Sequence, residues 1–229
     1  MKNYFLLLLL LFLVFLNAFA QEKERPKIGL VLSGGGAKGL AHIGVLKAIE
    51  EAGVKIDFIG GTSMGAIVGG LYASGYNASQ IDSIFKVSDF DQLLKDYIPR
   101  SSKNFYEKEN DEKYALVLPF DKWKVGLPYA YSKGLNIYGL LNKLLHNDRH
   151  ERNFNELPTP FLCIATDIET GKQIVLDHGY LAQAIMASAT FPSLFSPIVI
   201  DDKLLIDGGV VNNYPIDEVK KLGADIIIG

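Results

Sequence analysis

The stretch "IGLVLSGGGAKGLAHIGVLKAIEEAGVKIDFIGGTSMGAIVGGLYASG", residues 28–75, decides the fold. Ile28 to Leu32 is an apolar run of strand length that ends at glycines, the pattern of a buried strand. Leu40, Ile43, Leu46 and Ile49 then recur at helical spacing, with Val45 beside them, and Gly53 suits the stop. Residues 57–60 read as a second strand and residues 64–75 as a second helix ending at Gly75. Strand, helix, strand, helix predicts a βαβ unit and a mostly parallel sheet covered on both faces.

Beyond this unit, residues 77–97 read as short helices, with Asn77 and Gln80 spaced as a capping box. Residues 113–132 read as two strands around an Asp121-Lys122 turn, and residues 136–147 as an amphipathic helix. Residues 161–167 and 172–177 are strands joined by a turn at Glu169 to Gly171, and residues 180–190 form a helix that stops before Phe191-Pro192. A strand at 203–207 ends in Asp207-Gly208-Gly209, followed by a helix at 216–223 and a strand at 224–229.

A chain of 229 residues with 48% hydrophobic and 21% charged residues fits one globular domain with a sizeable core. A net charge of -3 gives no footprint for nucleic acid. Lys2, the apolar residues 4–16 and the Ala18-x-Ala20 site predict a signal peptide over 1–20, removed after Ala20. The apolar run falls short of the roughly 20 residues that span a bilayer. Residues 21–27 read as a polar leader and 28–229 as the domain. The expected location is exported: periplasmic, associated with an outer membrane, or secreted. Cys163 is the only cysteine, so no internal disulfide forms, and its apolar surroundings predict a buried thiol.

Three glycine-marked corners follow three apolar strands: residues 34–39, 61–65 and 207–209. Loops beyond the C-terminal ends of parallel strands share one sheet edge, where ligands bind. Ser63 lies between Gly61 and Gly65 in a G-x-S-x-G pattern at a strand-to-helix turn, which suits acyl transfer. The first corner also fits a dinucleotide fingerprint, but that reading needs an acid near the end of the second strand, and Asp57 stands at its beginning. A P-loop fails because Leu40 follows Gly39. Backbone N–H groups that hold an oxyanion are the remaining reading, with Lys38 beside them. No histidine follows Asp207, and an Asp167–His178 pair is the weaker route to a triad. Asp207, with Gly208 and Gly209 giving room, is the better base.

In this order and spacing, "GGGAKG", "GTSMG" and "DGG" resemble the patatin-like phospholipases, and the resemblance extends to "ATDIETGK", "ASATFPSLFSP" and "DGGVVNNYP". It covers essentially residues 28–229. One departure is DGG where many members have DGA. The resemblance implies a three-layer α/β/α sandwich and a lipid acyl hydrolase with a Ser–Asp dyad. It implies Ser63 as nucleophile, Asp207 as base, and Gly34, Gly35 and Gly36 with Lys38 as the oxyanion hole. Neither metal nor cofactor is called for. The expected partners are a phospholipid or other acyl-ester lipid and a membrane surface.

A general esterase or acyltransferase with the same dyad, and a catalytically silent lipid-binding domain, are the competing readings. The signal peptide resembles that of exported bacterial members whose patatin domain precedes an outer-membrane β-barrel. A strand pattern that stops at Gly229 gives the expectation that the natural chain continues. The aromatic-rich residues 121–141 read either as core, the commoner use of such a stripe, or as part of a lid or acyl channel.

Overall fold

A computed structural model describes residues 25–96, 100–113, 120–121, 123–125, 130–150 and 152–229. The expected signal peptide lies outside the described residues, as does most of the leader. Of the leader, Arg25 forms a two-pronged pair with Asp57, one bond at 2.8 Å, and Lys27 N–H donates to Asp225 at 2.8 Å.

The predicted βαβ unit is present: β1 (Ile28–Leu32), α1 (Ala41–Glu51), β2 (Phe58–Thr62) and α2 (Met64–Ala73). Next come α3 (Ala78–Val87), α4 (Phe90–Leu93) and α5 (Phe105–Lys113). The Asn77–Gln80 capping box closes at both bonds. A small antiparallel hairpin, β3 (Phe120–Asp121) and β4 (Lys124–Val125), pairs Asp121 with Lys124 in the stretch predicted as two strands; Lys122 of the predicted turn and much of the longer pair lie outside the described residues. Then follow α6 (Leu135–Leu144), β5 (Phe161–Asp167), β6 (Gln173–Leu176), α7 (Leu181–Ser188), β7 (Ile198–Ile200), β8 (Lys203–Asp207), α8 (Ile216–Lys221) and β9 (Ile226–Ile228).

The main sheet runs β7-β8-β5-β2-β1-β9, with β6 also on β5. The strands β9, β1, β2, β5 and β7 point one way; β8 and β6 point the other. The alternation of side chains makes the three layers. Leu30, Leu32 and Ile59 turn to one face, where α2 and α7 lie, and join the buried core. Gly29 and Gly60 turn to the other, where a Cβ would run into Val219 of α8. Glycine in these strands thus lets α8 approach the sheet closely.

The register of β5 brings two corners together. Cys163 and Ile164 pair with both β2 and β6, so these flank β5 on opposite edges. Ala165 and Thr166 pair with both β6 and β8, so β8 shares the edge that β2 occupies. On that edge β2 ends at Thr62 opposite Ile164, and β8, coming from the other direction, ends at Asp207 opposite Ala165. The expectation of three corners beyond parallel strands is therefore corrected. The third corner follows an antiparallel strand whose end meets that of β2 nearly head-on.

Candidate active site

Ser63 sits between β2 and α2 with φ 55° and ψ -120°, a conformation that a side-chain-bearing residue adopts at a cost. The surroundings hold it there. Its carbonyl accepts from Ala66 and Ile67 N–H at 2.9 and 3.1 Å, and its N–H donates to Ser188 Oγ at 3.0 Å. The corner is close-packed, as its glycines require: a Cβ on Gly65 would meet the Leu32 carbonyl, and one on Gly61 the Gly65 backbone. This geometry lifts the Ser63 hydroxyl off the end of the sheet.

Ser63 Oγ donates to Asp207 Oδ2 at 2.6 Å. The other carboxylate oxygen accepts from Gly209 N–H at 2.7 Å. The Asp207 carbonyl accepts from Thr166 Oγ1 at 2.9 Å, and its N–H donates to the Thr190 carbonyl at 2.9 Å. Asp207 is 4% exposed. Burial raises its pKa above the ordinary 3.8, and the bonds from Ser63 and Gly209 oppose that rise. Gly208 must be small, since a Cβ there would meet the Ile164 carbonyl.

The first corner folds into a tight turn over Gly36–Leu40, entered through Gly36 at φ 54°. Gly35, Gly36 and Ala37 line a groove together with Ser63. Gly34 N–H is committed, donating to Asn213 Oδ1 at 3.1 Å. Among the described residues, the Gly35 and Gly36 N–H groups meet no acceptor. The Lys38 side chain is exposed and does not line the groove.

That groove has a volume of about 620 Å³ and is almost entirely apolar. Met64, Ile67 and Leu71 line it from one face of α2, and Ile137, Leu141 and Leu144 from one face of α6. Ile137, Leu140 and Leu141, at the C-terminal end of the aromatic-rich residues 121–141, thus border the groove. Trp123 is instead 92% exposed, edge-on to Phe120. Tyr76, just beyond α2, donates to the Leu144 carbonyl at 2.7 Å. The C-terminal ends of α2 and α6 therefore adjoin, remote from Ser63.

The alternative groups lie apart. Asp167 is occupied by the Thr170 hydroxyl and the Glu169 N–H, while His178 pairs with Asp177 at 2.7 Å on the surface. His42 holds the Ser33 carbonyl at 2.8 Å, so its Nε2 carries the proton. His146 and His150 cluster with Arg149, exposed. Asp57, at the far end of β2, is bound to Arg25 and to Ile28 N–H. Cys163 is fully buried, which pushes its thiol pKa up.

Sequence reasoning missed Ser188, Thr166, Thr190 and Asn213. All four fall within the stretches "ATDIETGK", "ASATFPSLFSP" and "DGGVVNNYP", but nothing local showed which atoms they would meet.

A family model described as patatin-like phospholipase matches residues 30–220. The lysophospholipase NTE1 of Meyerozyma guilliermondii is 32% identical over 215 residues, which cover 91% of this chain and 13% of that protein. The lysophospholipase nte1 of Emericella nidulans is 30% identical over 204 residues, covering 87% of this chain and 11% of that protein. The chain thus spans only a small part of these fungal relatives, which lend nothing to the expected bacterial, barrel-linked origin. Among solved structures, VipD from Legionella pneumophila superimposes with a TM-score of 0.51 at 16% identity, covering 84% of this chain and 47% of that chain, a likeness of fold.

Proposed function

The chain belongs to the patatin-like phospholipase family, and from that premise we propose that it hydrolyses the carboxylic ester of a lipid, with Ser63 as nucleophile and Asp207 as base. The observation that carries this reading is the 2.6 Å bond from Ser63 Oγ to Asp207 Oδ2 at the side of a wide apolar groove. The names of the relatives, lysophospholipases, agree with it.

In the first half-reaction, Ser63 Oγ bonds to the ester carbonyl carbon as its proton passes to Asp207. The carbonyl electron pair moves onto oxygen, which the Gly35 and Gly36 N–H groups receive near the positive N-terminal end of α2. Collapse breaks the bond to the leaving alcohol, which takes the proton from Asp207. Water then repeats the sequence on the acyl-enzyme and releases a fatty acid. Burial of Asp207 helps, because a carboxylate of raised pKa is a stronger base than an ordinary one. The acyl chain lies along α2 between Met64 and Leu71, and the partner is a lipid surface. We further propose export of the chain, on the strength of Lys2, the apolar residues 4–16 and the small residues at Ala18 and Ala20.

Pure Ser63→Ala protein tests the assignment. It is expected to keep its fold, lose turnover of a p-nitrophenyl ester, and resist a fluorophosphonate probe that labels the parent. Retained turnover would sink the nucleophile. Export is tested by the N-terminal sequence of the secreted chain, expected to begin at Gln21.

A further inference from the structure

We infer that Asn213 is a positioning residue that aims the Gly35 N–H at the oxyanion; the inference rests on the hydrolase reading above. Three consecutive glycines leave a segment whose peptide planes rotate easily. Two of those planes are clamped. The Ser33–Gly34 peptide is held at its carbonyl by His42 Nε2–H at 2.8 Å and at its N–H by Asn213 Oδ1 at 3.1 Å. The Gly34–Gly35 peptide is held at its carbonyl by Asn213 Nδ2–H at 3.3 Å. In a trans peptide the N–H points opposite to the C=O. Fixing the Gly34 carbonyl toward Asn213 therefore turns the Gly35 N–H away from it, and Gly35 borders the groove that Ser63 lines. A donor on that carbonyl also polarises the peptide and strengthens its N–H.

The surroundings are shaped for this side chain. A Cβ on Gly34 would lie 2.5 Å from Asn213 Oδ1, and one on Gly209 2.9 Å from it. Glycine at both places lets the amide pass between the first and third corners. Asn213 is carried on an anchored loop. Val211 and Asn212 N–H donate to the Gly208 carbonyl at 3.1 and 2.9 Å. Thr62, the residue before Ser63, donates to the Asn212 carbonyl at 3.0 Å. The Asn212 side chain donates to Gln173 and to the buried Glu218 at 2.9 and 3.2 Å. One loop thus fixes the oxyanion amide relative to both nucleophile and base.

The test compares Asn213→Asp and Asn213→Ala in the same chain, using a p-nitrophenyl ester and a long-chain alkyl trifluoromethyl ketone. The ketone adds to the serine and places an oxyanion where the tetrahedral intermediate has one. Asn213→Asp keeps the shape and the acceptor for Gly34 N–H but loses the donor to the Gly34 carbonyl; Asn213→Ala loses both. In each, kcat is expected to fall about 10²-fold, the size of one lost oxyanion donor. KM is expected to stay within about twofold, because the interaction is realised only in the transition state. Ketone affinity is expected to fall by the same factor as kcat. Parental kcat in either variant overturns the inference. So does a kcat loss with ketone affinity unchanged, or a loss of kcat/KM that lies in KM. If Asn213→Ala does not fold, the near-isosteric Asn213→Asp decides; if neither folds, the residue serves stability and the inference fails. Ser63→Ala separates the two readings: if it is inactive while both Asn213 variants match the parent, only this inference falls.

Discussion

Asp207 Oδ2 lies 2.6 Å from Ser63 Oγ although Ser63 follows β2 and Asp207 ends β8, strands that run in opposite directions. They meet because Thr62 and Asp207 stand opposite Ile164 and Ala165, adjacent residues of β5, on the same edge of that strand. The distance is thus set by hydrogen-bond register and not by a flexible loop. From this arrangement four predictions follow in addition to the tests above.

Asp207→Asn is expected to lower kcat by about 10²–10⁴-fold, the usual size of a general-base loss. Its stability should not fall. The amide oxygen can keep the Gly209 bond and its NH₂ can donate to Ser63. The folded pKa of Asp207 is raised, so the native state binds more protons than the unfolded one between the ordinary value and the raised one. Stability contributed by this group is therefore lost as pH rises through that window. Asparagine escapes the loss. Thermal melts should show the variant equal to or above the parent at pH 7, the difference shrinking below about pH 4. A variant melting well below the parent at neutral pH refutes the account.

The pH profile of kcat/KM should rise along one limb as Asp207 ionises, with its midpoint above the ordinary carboxylate value. Substituting His146, His150 or His178 by Gln should leave the limb in place, since none of them touches Ser63. A limb that moves with any of these replacements would point to a triad.

Gly35 and Gly36 should respond differently to alanine. A Cβ on Gly35 would lie 3.5 Å from Gly39 N, an ordinary contact. Gly36 has φ 54°, where a Cβ costs about 1–2 kcal/mol. Gly35→Ala is expected to keep kcat within about threefold of the parent, because its N–H survives. Gly36→Ala should lose about tenfold or more as the turn relaxes away from that geometry. Equal losses in a p-nitrophenyl ester assay would contradict this.

Leu144→Trp should shorten the groove at the end away from Ser63. The eight steps from Ser63 to Leu71 span about 12 Å at 1.5 Å each, and Leu144 lies at that distal end beside Tyr76. Each methylene kept out forfeits about 0.8 kcal/mol, roughly fourfold in kcat/KM. The ratio of p-nitrophenyl palmitate to butyrate turnover should fall by tenfold or more, with butyrate turnover preserved. An unchanged ratio means that the chain lies elsewhere.

The features legible in the amino-acid order alone were local. Apolar periodicity placed β1, α1, β2 and α2 because a strand repeats every two residues and a helix every 3.6. Glycine at 34–36, 61, 65, 208 and 209 marked turns that need open backbone, and these corners carried Ser63 and Asp207. The three residues of β7 escaped notice because Val199 faces solvent and the run is short. Likewise α5 gave no signal, since Phe105 and Tyr106 are exposed and no apolar stripe forms. Tertiary structure decided that β8 enters antiparallel, that Ser188 holds Ser63, and that Asn213 takes the Gly34 N–H. It also gathered α2 and α6 around one groove. The side-chain contacts of Ser63 and Gly34 join residues 125 to 179 positions apart, the others join separate elements, and no repeat along the chain encodes them. Their physical cause is the pairing of β5 with three strands at once, which exists only when the whole sheet has formed.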